Sequence, residues 1–196
     1  MITFNLNEYR TTIDTISMNR FKAFEKVQAR KQKQTKNTIE SCTVGTLAEF
    51  AALCYYDQFF NHIVTPELNH FMESDDECVS SYGDLIIVNP DGLNLIEVKG
   101  SQTHHPQNQV MPYHINKYLE NEVSQIVFVE VDLKNYICKI NGMIDPLSAK
   151  QEGKFIPAGR KNSQGLYSQR DNLDCSRCMM APIDPDQLIE WPSVLH

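Results

Sequence analysis

No apolar run in this 196-residue chain approaches the length of a membrane span, and its opening, MITFNLNEYR, lacks the basic-then-apolar layout of a secretory signal. Both absences lead to the expectation of a cytoplasmic protein without a membrane partner. Disulfide spacing is missing as well. Of six cysteines only Cys175 and Cys178 are close neighbours, so reduced thiols are expected rather than a disulfide framework. Nor is there an excess of basic charge. The formal net charge of −7 argues against a surface coated with nucleic acid, while leaving local patches open. What the chain does have is ordinary: 41% hydrophobic and 22% charged residues, enough apolar surface for a real core.

The basic residues are uneven. Lys22, Lys26, Arg30, Lys31, Lys33 and Lys36 lie close together with only Glu25 as an acid among them. Residues 1–40 are therefore read as an N-terminal basic helical segment, with a helix over 8–36. Lys26, Arg30, Lys31 and Lys33 are its candidate nucleic-acid contacts; a solvated face is the alternative. A thinner basic group comprises Lys154, Arg160, Lys161, Arg170 and Arg177.

The most informative stretch is GDLIIVNPDGLNLIEVKG, from Gly83 to Gly100. Two apolar runs flank Asn89-Pro90-Asp91-Gly92, a tetrapeptide suited to a type I turn closed by glycine, so the unit reads as a β-hairpin. Pairing about that tip sets position 88 opposite 93 and hence Asp84 opposite Glu97, with Cβ atoms roughly 5 Å apart. Lys99, two residues beyond Glu97, shares its face because the strand period is two. Adjacent buried carboxylates are costly unless a cation relieves them, and a hard divalent ion with oxygen ligands, Mg²⁺ by preference, would do so. That chemistry suits phosphodiester hydrolysis. A surface Asp with a Glu–Lys pair at a sheet rim is the plain alternative.

Asp84, a twelve-residue spacing, then Glu97-Val98-Lys99 in an apolar strand resembles the PD-(D/E)xK, or restriction-endonuclease-like, nuclease superfamily. Asp132-Leu133-Lys134 and Glu152-Gly153-Lys154 satisfy the same tripeptide, but no hairpin delivers an acid to either. The literal Pro90-Asp91 sits at the turn tip, far from Glu97. The resemblance implies that Asp84 and Glu97 bind metal, that Val98 adds its backbone carbonyl, and that Lys99 positions the attacking water. It also implies an acid on the preceding helix, and Glu49 is the acid in that element. Glu49 has a structural reading too, as the capping-box partner of a Thr46 N-cap in a helix opening at Gly45-Thr46. The metal role is preferred. Gln109 and Tyr113 match the QxxxY pattern of RecB-type members, with Pro112 a departure from its usual helical setting; they are further candidate nucleic-acid contacts.

Elsewhere Thr35–Cys42 reads as a linker, Thr65-Pro66 as a breaker, and His70–Ser81 as a polar loop. Met111 to about Val123 reads as a helix with Pro112 in its first turn. Gln125–Leu133 is a strand, and Tyr136–Ile140 is its candidate partner. The His104-His105 pair could touch phosphate or a metal, and a polar loop that simply contains histidines is the preferred reading. From Lys150 to Ala181 the chain turns loop-like. Cys175 and Cys178 could contribute to a zinc site or an iron–sulfur cluster, both of which need further ligands, and unligated thiols are the preferred reading.

The expectation is thus an α/β fold: a mixed central sheet flanked by helices, which the resemblance specifies as an α-β-β-β-α-β core. The nuclease core is placed at 41–148 and a loop-rich appendage at 149–196. The expected activity is a Mg²⁺-dependent deoxyribonuclease, an endonuclease in preference to an exonuclease, with Mn²⁺ as a substitute ion, DNA as partner and a homodimer as a candidate assembly. The alternatives are a non-catalytic nucleic-acid-binding or assembly module with a nuclease-like fold, and a zinc-stabilised interaction protein.

Overall fold

The computed structural model of the chain describes residues 2–31, 38–78, 83–90, 92–104, 107–161, 165 and 168–182. In chain order, β1 (Ile2–Asn5) and a short 3-10 turn lead into α1 (Arg10–Arg30) and α2 (Ile39–Tyr56). Next come β2 (Ile63–Val64), α3 (Pro66–Glu73), β3 (Leu85–Asn89) and β4 (Gly92–Gln102). They are followed by β5 (Gln109–Val110), α4 (Pro112–Glu120), β6 (Val123–Asp132), β7 (Ile137–Ile144), α5 (Pro146–Glu152), β8 (Lys154–Ile156) and β9 (Asn172–Asp174). Six strands form one mixed sheet in the order β1-β7-β6-β4-β3-β2, and β5-β9-β8 form a smaller one. Only the β4–β6 pair of the large sheet is parallel, because α4 carries the chain back across it.

The hairpin register is the one its turn implies: Val88 pairs with Leu93 and Leu85 with Ile96. Asp91 at the tip lies outside the described residues. Strand alternation then divides the core. Leu85, Ile87, Ile96 and Val98 pack with Leu47, Ala48, Ala51 and Ala52 of α2. Leu95, Ile126 and Phe128 pack on the opposite face with Ile115 and Tyr118 of α4 and Leu173 of the small sheet. A helix this rich in small residues can lie very close to a strand. A Cβ on Gly100 would fall 2.8 Å from Ala48 Cβ and 3.0 Å from the Val44 carbonyl, so the β4–α2 approach requires glycine there.

Several local expectations are corrected. Helix α2 begins at Ile39, inside the expected linker, because the capping box is formed by Thr38 and Ser41 rather than by Thr46 and Glu49. Thr46 is instead a buried interior residue. Pro66 starts α3 rather than breaking the chain, since proline at a first helical position gives up no needed N–H. That helix takes Phe71, from the expected polar loop, into a cluster with Ile16, Ala23 and Leu68. The tail holds α5, β8 and β9 where a loop was expected; three-residue strands, whose buried apolar anchors are Ile156 and Leu173, leave little periodic signal. Ahead of α2, β1 pairs with β7 and α1 packs on α2.

Candidate active site

Asp84 is set by its neighbours on both sides. Gly83, at φ +35, passes so close to β4 that a Cβ would lie 2.9 Å from the Ile96 carbonyl. The Asp84 N–H then donates to that carbonyl at 2.8 Å, and Asp84 Oδ2 accepts from the Val98 N–H at 2.6 Å. The β3–β4 ladder ends at the Leu85–Ile96 pair, and Asp84, just beyond it, is held by these two bonds to Ile96 and Val98 within reach of the charges of Glu97 and Lys99. Glu97 and Lys99 alternate with Ile96 and Val98, so they face α4 rather than α2. The β4–β6 register shifts between Leu95 and Ile96, where β6 carries the extra residue, Ser124, and β4 runs on without an insertion through Glu97 and Lys99.

On that face Glu97 Oε1 accepts from the Tyr118 hydroxyl at 2.9 Å and holds the Lys99 ammonium in a salt bridge. Lys99 also sits 5.6 Å from the centre of the Tyr118 ring, on which His114 stacks at 6.0 Å. Burial, then the carboxylates of Glu97 and Glu49, push the Asp84 pKa well above the ordinary value, against the opposing pull of Lys99 and the Val98 N–H. Burial opposes the Lys99 charge, yet Glu97, Tyr118 and Asp84 together hold the ammonium above its ordinary value. Burial, then the nearby Lys99 charge, lowers His114.

Glu49 is engaged elsewhere. Its two oxygens accept from Arg20 Nη1 and Nη2, each at 2.8 Å, in a two-pronged ion pair with both side chains nearly excluded from solvent. Arg20 Nη2 also reaches Glu67 Oε2 at 3.1 Å. Glu49 lies on α2, behind the sheet face that carries Glu97, and it acts on Asp84 through its charge. Sequence reading missed Arg20, Glu67, His114 and Tyr118. Arg20 did leave a signal: it occupies the stripe of Ile13, Ile16 and Ala23, where a charge demands a buried partner. Tyr118 left none beyond its place one turn after His114.

Among the expected nucleic-acid contacts, Gln109 lines a cavity that also reaches Lys99, and Tyr113 is exposed beside Lys117, with Nζ 5.2 Å from its ring. Lys26 pairs with Asp75 and Asp76, and Arg30 with Glu77. The basic helix therefore meets an acidic segment distant in sequence. Lys31 is exposed, and Lys33 lies outside the described residues, as does His105. The Cys175 thiol is buried, which pushes its pKa up to about 12, and Cys178 Sγ donates to the Cys175 carbonyl at 3.4 Å.

Among the described residues no group of three or more His, Cys, Asp or Glu side chains is arranged to hold a metal ion. Cys175 and Cys178 thus lack there the additional ligands that zinc or an iron–sulfur cluster takes. The donor set beside Lys99 fits Mg²⁺ on other grounds. Mg²⁺ keeps several waters and is commonly bound through one or two carboxylates. Asp84 Oδ1 and Glu97 Oε2 have no hydrogen-bond partner among the described residues, and the Asp84 pKa is raised first by burial and then by the charges of Glu97 and Glu49, a repulsion that a cation would relieve.

Comparison of the chain with protein-family models, with curated proteins and with solved structures gives no match in any of the three. Function is therefore argued from the site's own residues.

Proposed function

We propose that this chain is a Mg²⁺-dependent nuclease that hydrolyses phosphodiester bonds, DNA in preference to RNA and internal bonds in preference to ends. The observation that carries the reading is that Glu97 and Lys99 form an ion pair on β4 whose charges both act on Asp84 at the open end of the hairpin. Asp84, Glu97 and the Val98 carbonyl would hold the ion, which when bound supplies a polarised phosphoryl oxygen and a water of lowered pKa. Lys99 remains cationic, so its part is to orient a water and to neutralise charge that builds on the phosphate. The Tyr118 hydroxyl donates to the same Glu97 oxygen that pairs with Lys99 and so helps hold that carboxylate in place. The succession α2, β2, β3, β4, α4, β6, interrupted by α3 after β2 and by β5 after β4, with β4 parallel to β6, supports a restriction-endonuclease-like core.

One observation favours a second reading. Arg20 occupies both oxygens of Glu49, which makes that acid a structural partner and leaves a smaller ligand set. A non-catalytic nucleic-acid-binding module would keep such a pair. Incubation with linear, circular, single-stranded and branched DNAs, with and without Mg²⁺, separates the two. The nuclease reading expects Mg²⁺-dependent cleavage of at least one member. Binding without cleavage of any member would favour the module.

A further inference from the structure

We infer that the cavity beside Lys99 receives a single unpaired nucleotide, so that the substrate is engaged with one base outside a duplex. The inference rests on the nuclease reading for the identity of its ligand and goes beyond it in naming the substrate form.

The cavity has a volume of about 480 Å³ and lies between β5, the start of α4, and residues 168–172 at the entry to β9. That is the size of a small-molecule site, which spans roughly 300–1,000 Å³. A paired base in a duplex cannot enter such a recess, whereas an unstacked nucleotide can. Its lining divides by chemistry. Lys99 and Arg170 supply cations, and no carboxylate lines it among the described residues. The Arg170 guanidinium has only the Met111 sulfur, at 3.7 Å, as a partner there, so its fork is free for a phosphate. Gln107, Gln109 and Gln169 add carboxamides, each carrying a donor and an acceptor, and Asn172 adds its amide oxygen, its Nδ2 already donating to Ser168 Oγ and the Arg170 carbonyl. Paired donors and acceptors are what the Watson–Crick edge of a base presents once its partner is gone.

A second observation points to a ligand. Gln109 Nε2 is shielded from solvent and has no hydrogen-bond partner among the described residues. A buried donor is costly to leave unmade, and rotation of the Gln109 carboxamide into the cavity it lines would let a base edge satisfy it. Phosphate alone would use Lys99 and Arg170 but leave the carboxamides, Val110 and Met111 without a role.

The test uses the full chain without metal and compares thymidine monophosphate, deoxyadenosine monophosphate and inorganic phosphate by calorimetric titration. The mononucleotides should bind about tenfold or more tighter than phosphate, the margin expected from one or two hydrogen bonds plus base contact. Arg170→Gln, at an exposed position, and Asn172→Leu should each weaken nucleotide binding several-fold. Gln109→Leu should do the same while keeping the parent's far-ultraviolet circular dichroism. Equal affinity for phosphate and nucleotide, no nucleotide binding, or binding unaffected by all three substitutions would each overturn the inference. The two readings fail separately. Mg²⁺-dependent cleavage without nucleotide binding removes the cavity assignment alone. Nucleotide binding sensitive to these substitutions, with no cleavage of any DNA, sustains the cavity and removes the nuclease.

Discussion

Arg20 of α1 and Glu49 of α2 grip each other through two hydrogen bonds of 2.8 Å, with each side chain less than a tenth exposed. Removing one partner would strand the other's charge. Arg20→Met should therefore destabilise the chain by about 3–5 kcal/mol, whereas Arg20→Met with Glu49→Leu should recover most of that loss. Urea denaturation of the parent, the single variant and the double variant measures both quantities. A single variant within experimental error of the parent would show that the pair carries no such energy.

The Asp84 prediction concerns pH and metal together. Its pKa is raised in the folded chain by burial and by Glu97 and Glu49, so the folded state holds this proton more tightly than the unfolded state does. The favourable contribution is complete below the unfolded value of about 3.9 and is lost as pH rises through the folded value. Asp84→Asn should accordingly match the parent in melting temperature near pH 4 and exceed it near pH 8, without metal. Added Mg²⁺ should then raise the parent's melting temperature and leave the variant's unchanged, because only a state that binds the ion is stabilised by it. Equal stabilisation of both proteins by Mg²⁺ would remove Asp84 from the ligand set.

Gly100 tests the packing that places Lys99. A Cβ there would meet Ala48 Cβ at 2.8 Å and the Val44 carbonyl at 3.0 Å, approaches that force β4 and α2 apart. Gly100→Ala should cost about 1–3 kcal/mol by denaturation. A second substitution, Ala48→Gly, should restore part of it by removing one of the clashing atoms. Additive effects of the two changes would contradict the packing described.

Lys26 and Arg30 are paired with Asp75, Asp76 and Glu77, which subtracts them from any basic surface. If α1 touches DNA, the triple variant Asp75→Asn, Asp76→Asn, Glu77→Gln should bind duplex DNA more tightly and with a steeper salt dependence. The log–log slope should steepen by about 0.9 for each further phosphate that the released cations neutralise. An unchanged slope assigns these cations to holding the acidic segment.

The hairpin was legible because its information is local. The turn tetrapeptide fixes the register through the Leu85–Ile96 pair, and period two puts Glu97 and Lys99 on one face, where they form an ion pair. The helix–hairpin–helix–strand order and the mixed sheet were legible for the same reason, as long runs with clear boundaries. Arg20 escaped because its partner Glu49 lies 29 positions away, and no local pattern encodes that pairing. The start of α2 was misplaced because Thr46-x-x-Glu49 imitates a capping box, while Thr38 and Ser41 cap the actual helix start. The cavity beside Lys99 escaped entirely. It depends on two-residue and three-residue strands pairing across some sixty positions, where Gln109 meets Asp174.

The most direct test of the phosphodiesterase assignment is the Mg²⁺-dependent cleavage rate of Lys99→Ala against the parent, on whichever DNA the parent cuts. Lys99 is held by Glu97 at the site but is not a metal ligand, so its loss should spare the fold and the Mg²⁺-induced rise in melting temperature. The account predicts a fall in rate on the order of 10²–10⁴-fold, the range associated with a positioned group that assists proton transfer or stabilises developing charge. A Lys99→Ala protein that cleaves at the parent's rate would contradict it.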